Sequence, residues 1–154
     1  MKEIMSPNSG RREYPISFLP QWQRIALFYN HKPMENHIRK VNTEVNAYIY
    51  IPYSKDYWKT PDEFIRDGGG DCEDFAIAKF YKLNLPKFII IGKLTDINQE
   101  YVVCVVYSSE EKDWVVLDCM TSSIVKWSKF LERFDPHLVC NLELNKKITE
   151  SYEA

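Results

Sequence analysis

The stretch DYWKTPDEFIRDGGGDCEDFAIAKFYKL, residues 56–83, decides the fold because it holds two helix starts separated by three glycines. Thr60-Pro61-Asp62-Glu63 reads as a compact N-terminus: Thr60 caps, Pro61 suits the first helical position and Glu63 completes a capping box. The short helix must stop at Gly68-Gly69-Gly70, where helix propensity is lowest and positive φ is free. A second helix then begins near Cys72 and runs to about Asn84, with Phe75, Ala76, Lys79, Phe80 and Leu83 spaced for packing. Cys72 therefore opens a helix directly after a glycine stretch.

Working outward, PQWQRIALFYN carries Trp22, Ile25, Ala26 and Tyr29 at helical spacing, and a further helix is expected from about Pro33 to Tyr48. Met34, Ile38, Val41 and Val45 form its apolar face. After Pro86 the pattern turns to strands: Phe88–Leu94, Tyr101–Tyr107 and Trp114–Asp118, the last two joined by the polar turn SSEEKD. A short helix, WSKFLERF, and a last strand around Leu138–Leu144 complete the chain. Helices first and an antiparallel sheet second make an α+β fold. Residues 1–15, polar and with Pro, Ser, Asn and Gly, read as a flexible N-terminal arm, and 16–150 as a single domain.

The chain has 154 residues, 45% of them hydrophobic and 14% aromatic, which suffices for one buried core and argues against disorder. A formal net charge of −2 gives no electrostatic reason for a nucleic-acid partner. Apolar runs such as KFIIIGKL are too short for a transmembrane segment. MKEIMSPNSGRREYP lacks the apolar core of a signal peptide, so the sequence as written points to the cytoplasm. Cys72, Cys104, Cys119 and Cys140 show no CxxC spacing, which disfavours a structural zinc site.

The placement of Cys72 bears on its chemistry. A cysteine reacts as its thiolate, and a helix N-terminus lowers a thiol pKa through its dipole and unpaired N–H groups. Neighbouring backbone N–H groups also suit an oxyanion. Asp71, Glu73 and Asp74 act the other way, since their negative charge raises the thiol pKa. By spacing alone, a buried Cys after a capped glycine turn accounts for the pattern equally well.

GDCED followed by Ala-Ile-Ala-Lys, with VNTEVN (41–46) upstream and VVLDCM (115–120) downstream, resembles the bacterial transglutaminase-like cysteine proteinases, the LapG-like adhesin-releasing periplasmic proteases. The resemblance extends from about Trp22 to the last strand. It implies a papain/transglutaminase-like cysteine peptidase core with a Cys-His-Asp triad. Cys72 maps onto the nucleophile and Asp118 onto the residue that orients the imidazole. The histidine of that pattern opens the strand that here begins Tyr101-Val102-Val103, so Tyr101 stands at the expected His position. A one-residue slip would offer Glu100, on the opposite face. The remaining histidines are His31, His37 and His137, read as a loop, a helix-flank and a strand-entry residue. The histidine is both the base that takes the thiol proton and the acid that protonates the leaving amine. A phenol with a pKa of about 10 substitutes poorly at neutral pH.

The resemblance also assigns Asp71, Glu73 and Asp74 to calcium, with backbone carbonyls and water supplying the remaining oxygens. Asp71 alone reads equally as a helix cap. Trp58 and Gly70 are candidate cleft residues near the nucleophile, Trp58 being also compatible with the core. Cys119 replaces an Asn that the pattern carries and reads as a small packing residue; Cys104 reads as an inert buried thiol. Three functions follow: hydrolysis of a peptide bond in a protein substrate such as a surface adhesin, through a Cys72 acyl-enzyme; a pseudoenzyme that binds calcium and a peptide or partner protein; and acyl transfer to an amine on the same scaffold. The family compartment is the periplasm, which applies here if the N-terminus is trimmed.

Overall fold

The computed structural model describes residues 12–28, 36–52, 57–140 and 142. Tyr14–Pro15 (β1) lead through a single 3-10 turn, Ile16–Phe18, into α1 (Leu19–Ala26). Next come α2 (His37–Asn46), β2 (Ile49–Tyr50), α3 (Pro61–Asp67), β3 (Gly69–Gly70) and α4 (Cys72–Lys82). The second half holds β4 (Lys87–Leu94), β5 (Gln99–Ser108), β6 (Asp113–Leu117), β7 (Val125–Lys126), α5 (Trp127–Phe130) and β8 (Phe134–Cys140).

One six-stranded sheet runs β1-β8-β4-β5-β6-β7, antiparallel at every pairing. β2 and β3 make a small parallel pair apart from it. The apolar runs of β4, β5 and β6 are buried along almost their whole length, as strands covered on both faces must be. α4 lies against β5, with α2 and α3 packed on it, so it is wrapped by protein and not amphipathic. Its buried residues run without a break from Asp74 to Phe80. Lys87 closes its far end by donating through Nζ to the carbonyls of Phe80 and Leu83.

Aromatic rings join the layers. Trp22 of α1 meets Tyr14 edge-on at 4.9 Å and stacks on Phe88 of β4 at 6.1 Å. Phe64 of α3 meets Phe75 of α4 at 4.9 Å. The mixed helix and antiparallel-sheet architecture is the one expected from the sequence.

The boundaries differ in four places. Tyr14 and Pro15, read as the end of a flexible arm, pair with Val139 and Leu138 as the edge strand β1; residues 1–11 of that arm lie outside the described residues. The helix expected to span residues 127–134 stops at Phe130, and β8 begins at Phe134, four residues earlier than expected. Phe134 is buried and pairs with Leu94, so burial in the sheet overrides the local helical pattern. The other end of the expected last strand, at residues 141 and 143–144, lies outside the described residues, as do Tyr29 and the start of the helix expected from Pro33. Within the described residues that helix begins at His37.

Candidate active site

The glycines deliver Cys72 to its position. α3 ends with Gly68 at φ 80°, the left-handed conformation that closes a helix at low cost for glycine. Gly69, at φ 149°, runs against β2 so tightly that a Cβ there would lie 1.8 Å from the Ile49 carbonyl oxygen. Ile49 N–H donates to Gly68 O at 3.0 Å and Ile51 N–H to Gly70 O at 2.7 Å, so the glycine stretch is a paired strand and not a loop. Asp71 then caps α4 in a reciprocal box: its Oδ1 accepts from Asp74 N–H, and Asp74 Oδ2 accepts from Asp71 N–H at 3.1 Å. Lys59 clamps the arrangement from the side, its N–H on Asp74 Oδ1 at 2.8 Å and its Nζ on Gly69 O at 2.8 Å. Gly70 keeps clear of this box; a Cβ on it would meet Asp74 Oδ2 at 2.5 Å.

Cys72 is thus the first residue of α4, as read from the sequence, and it is buried. Its Sγ has the Glu73 carboxylate at 3.7 Å. Burial, first, and then the Glu73 charge push the thiol well above its ordinary range; the N–H of Val102 bonded to the sulfur acts the other way.

Asp118 follows directly on β6, which ends one residue earlier than expected from the sequence, and is buried. Its Oδ1 accepts from the Tyr101 hydroxyl and, at 3.2 Å, from Met120 N–H. Tyr101 Oη also lies 3.2 Å from Cys119 Sγ. Burial and the Asp118 charge push the phenol far above its usual value, so Tyr101 is a neutral donor. Asp118 is held from behind by two α2 side chains that sequence reading left without a role. Asn46 Nδ2 donates to the carbonyls of Asp118 and Thr121, each at 3.0 Å, and Asn42 Nδ2 to that of Ser122 at 3.2 Å. The signal was present in VNTEVN: two asparagines four apart share one helix face with Val41 and Val45.

Tyr101, and not Glu100, is the residue of β5 that reaches Asp118; Glu100 is exposed. His37 Nε2 accepts from Asn84 N–H at 3.3 Å, at the far end of α4. His137 pairs with Asp135 at 3.0 Å on an exposed stretch of β8. His31 lies outside the described residues. Trp58 is buried and lines a cleft of about 220 Å³ together with Glu73, Tyr101, Val102, Ile91 and Leu138. Gly70 is not among its lining residues.

Asp71, Glu73 and Asp74 meet around Asp71, whose carboxyl is raised by burial and by the neighbouring Glu73 charge. Asp74 is pushed up to about 7, chiefly by burial. In this arrangement Asp71 and Asp74 serve the capping box, and among the described residues no three His, Cys, Asp or Glu side chains are set to hold a metal ion. No helix of the described residues is long and apolar enough to cross a membrane.

Residues 23–134 match the family model of the bacterial transglutaminase-like cysteine proteinases. Among solved structures, calcium-bound LapG of Legionella pneumophila is 31% identical over 77% of this chain and 81% of its own, with a TM-score of 0.61. A further structure of the same protein is 34% identical over 78% and 72%, again at 0.61. It has also been solved after EGTA treatment, at 33% identity. A candidate cysteine protease of Cytophaga hutchinsonii, 16% identical with a TM-score of 0.52, shares the fold. Curated proteins gave no match.

Proposed function

We propose, from the premise that this chain belongs to the bacterial transglutaminase-like cysteine proteinases, that it binds an extended segment of a protein in the cleft beside Cys72 without hydrolysing it at an enzymatic rate. One observation carries this: the partner bonded to Asp118 is the Tyr101 phenol, and the only side chain bonded to the Cys72 sulfur among the described residues is the Glu73 carboxylate. A phenol held neutral takes no proton from a thiol. Carboxylates as a class are far weaker bases than thiolates, so a carboxylate beside the sulfur is a poor acceptor for its proton. The family chemistry needs a base for attack and an acid for the leaving amine, and neither is supplied at Cys72.

The cleft suits an extended chain. Trp58 gives it an apolar wall and Glu73 a charged one, so a segment of small residues with a basic flank is the chemistry it fits. A linker segment of a surface adhesin is the first partner to try. Binding of such a peptide to the Cys72→Ala protein, together with no Cys72-dependent cleavage by wild type, is the expected result. Tyr101→His is expected to gain cleavage, because Asp118, which accepts from the Tyr101 hydroxyl, is the residue that the family resemblance assigns to orienting an imidazole. Wild-type turnover that disappears in Cys72→Ala would overturn the reading.

A second reading, slow hydrolysis, draws on the Val102 N–H at the sulfur, which favours a thiolate once formed. It is separated from the first by the same turnover assay.

Calcium belongs to the family reading through Asp71, Glu73 and Asp74. Asp71 is raised by burial and the Glu73 charge and Asp74 by burial and Asp71, and a divalent cation would relieve that repulsion; two of the three carboxyls are engaged in the cap, so backbone carbonyls and water would complete the six to eight oxygens calcium takes. Added calcium is expected to raise the melting temperature by a few degrees, EGTA to reverse this, and Asp71→Asn to abolish it. An unchanged melting temperature in millimolar calcium would remove the ion from the account.

A further inference from the structure

β2 and β3 form a two-stranded parallel pair, so each has one paired edge and one outer edge. Along a strand, successive residues turn their N–H and C=O groups to alternate edges. Ile49 N–H donates to Gly68 O and Ile51 N–H to Gly70 O, so these two residues face β3. Tyr50, between them, turns its N–H and C=O to the outer edge. Neither group has a hydrogen-bond partner among the described residues. Tyr50 and Ile49 are both exposed. A strand edge left open in this way is a template for a further strand, and Ile49–Tyr50 carries no charge that would blunt it.

Where the edge lies decides what it can hold. Tyr50 is paired with Gly70, two residues before Cys72. Its ring stacks on Phe75 with the centroids 6.2 Å apart. Phe75 stands three residues after Cys72 on α4, so the two share one side of the first helical turn. The Tyr50 ring thus lies over the turn that carries the thiol. In agreement, burial first and then the nearby Cys72 raise the Tyr50 phenol to about 12, which keeps it neutral. Tyr50 is not among the residues that line the Trp58 cleft, so the edge is separate from that wall.

We propose that the outer edge of β2 docks the main chain of the segment held beside Cys72. Tyr50 N–H donates to one of its carbonyls and Tyr50 C=O accepts from one of its N–H groups, which lays the segment down as an added strand. This rests on the reading that an extended segment lies next to Cys72. An open donor and acceptor on one residue recognise a peptide backbone whatever its side chains. A helical ligand does not fit, because its own ladder already uses those groups. The residue bonded to the Tyr50 carbonyl must carry an N–H, so proline is excluded at that position. The Tyr50 ring, held on Phe75, is the apolar surface beside the bound chain.

The test uses the full chain with Cys72→Ala and a fluorescein-labelled peptide of alanine, glycine and serine that ends in a pair of lysines. Tyr50→Ala removes the ring and keeps the backbone. Tyr50→Pro removes the N–H as well, and since that N–H faces away from β3, no ladder bond is lost. Binding read by anisotropy is expected to be about fivefold weaker for Tyr50→Pro than for Tyr50→Ala, the effect of one main-chain bond. Amide exchange read by NMR is the independent measurement. The Tyr50 amide is expected to exchange faster than that of Ile51 in the free protein, and to slow about tenfold at saturating peptide. Equal binding by the two variants, or a Tyr50 exchange rate that bound peptide leaves unchanged, would overturn the edge and leave the cleft reading in place. No binding by any of the proteins, the one with Tyr50 intact included, would overturn both. If Tyr50→Pro does not fold, the exchange rates decide.

Discussion

Tyr101 shows how one side chain ties up a carboxylate at the site. It occupies a buried position on β5, donates to Asp118, and holds a proton that it does not release near neutral pH. Lys79 is the other residue with a consequence of its own. Burial lowers its pKa from 10.5 to about 8. The sign follows from linkage: between those values the unfolded chain holds more protons than the folded one, so the lysine's cost to stability is full below pH 8 and is relieved as pH rises toward the unfolded value. The cost at neutral pH is of order 3 kcal/mol. Lys79→Met should therefore be the more stable protein at neutral pH, with a difference that shrinks as pH approaches 10 (an approximate end point, set by the unfolded lysine). Urea unfolding of both proteins across that range measures it. A difference that does not change with pH would mean that Lys79 keeps its ordinary pKa in the folded protein.

At the scale of elements, the glycine strand and the asparagine face of α2 set the two halves of the site. Gly69→Ala places a methyl inside the Ile49 carbonyl and forces a disfavoured φ, so a loss of about 3 kcal/mol or more is expected in chemical unfolding. Asn46→Ala removes the bonds to Asp118 and Thr121, at about 1–3 kcal/mol, and should speed amide exchange in residues 118–122 while leaving α4 protected. Equal exchange across both regions would argue against a local tether. These elements differ in how plainly the sequence announced them. Thr60-Pro61-Asp62-Glu63 and Gly68-Gly69-Gly70 are local signals, because caps and positive φ are fixed by neighbours in the chain. The pairing of Gly69–Gly70 with Ile49–Tyr50, the early start of β8 at Phe134 and the bonding of Asn42 and Asn46 depend on residues twenty to eighty positions away, which periodicity does not reveal. The same holds at the site. The places of Cys72 at a helix start and of Asp118 at a strand end were legible from their motifs, whereas the attachment of Cys119 to Tyr101 follows only from how β5 and the turn after β6 meet.

For the whole molecule, family membership and chemical competence separate. The chain belongs to the bacterial transglutaminase-like cysteine proteinases, and its mixed helix and antiparallel-sheet fold is similar to that of LapG. At Cys72 the sulfur has the Glu73 carboxylate as its side-chain neighbour, and burial, then the Glu73 charge, push the thiol up. The most direct measurement is the rate of Cys72 carboxamidomethylation by iodoacetamide across the pH range, read by peptide mapping. The account predicts slower reaction at neutral pH than a free peptide cysteine, with the rate still rising above the ordinary thiol pKa of about 8.5. A rate that levels off in the acidic or neutral range, faster than the free peptide, would show a thiolate already formed at Cys72 and contradict it.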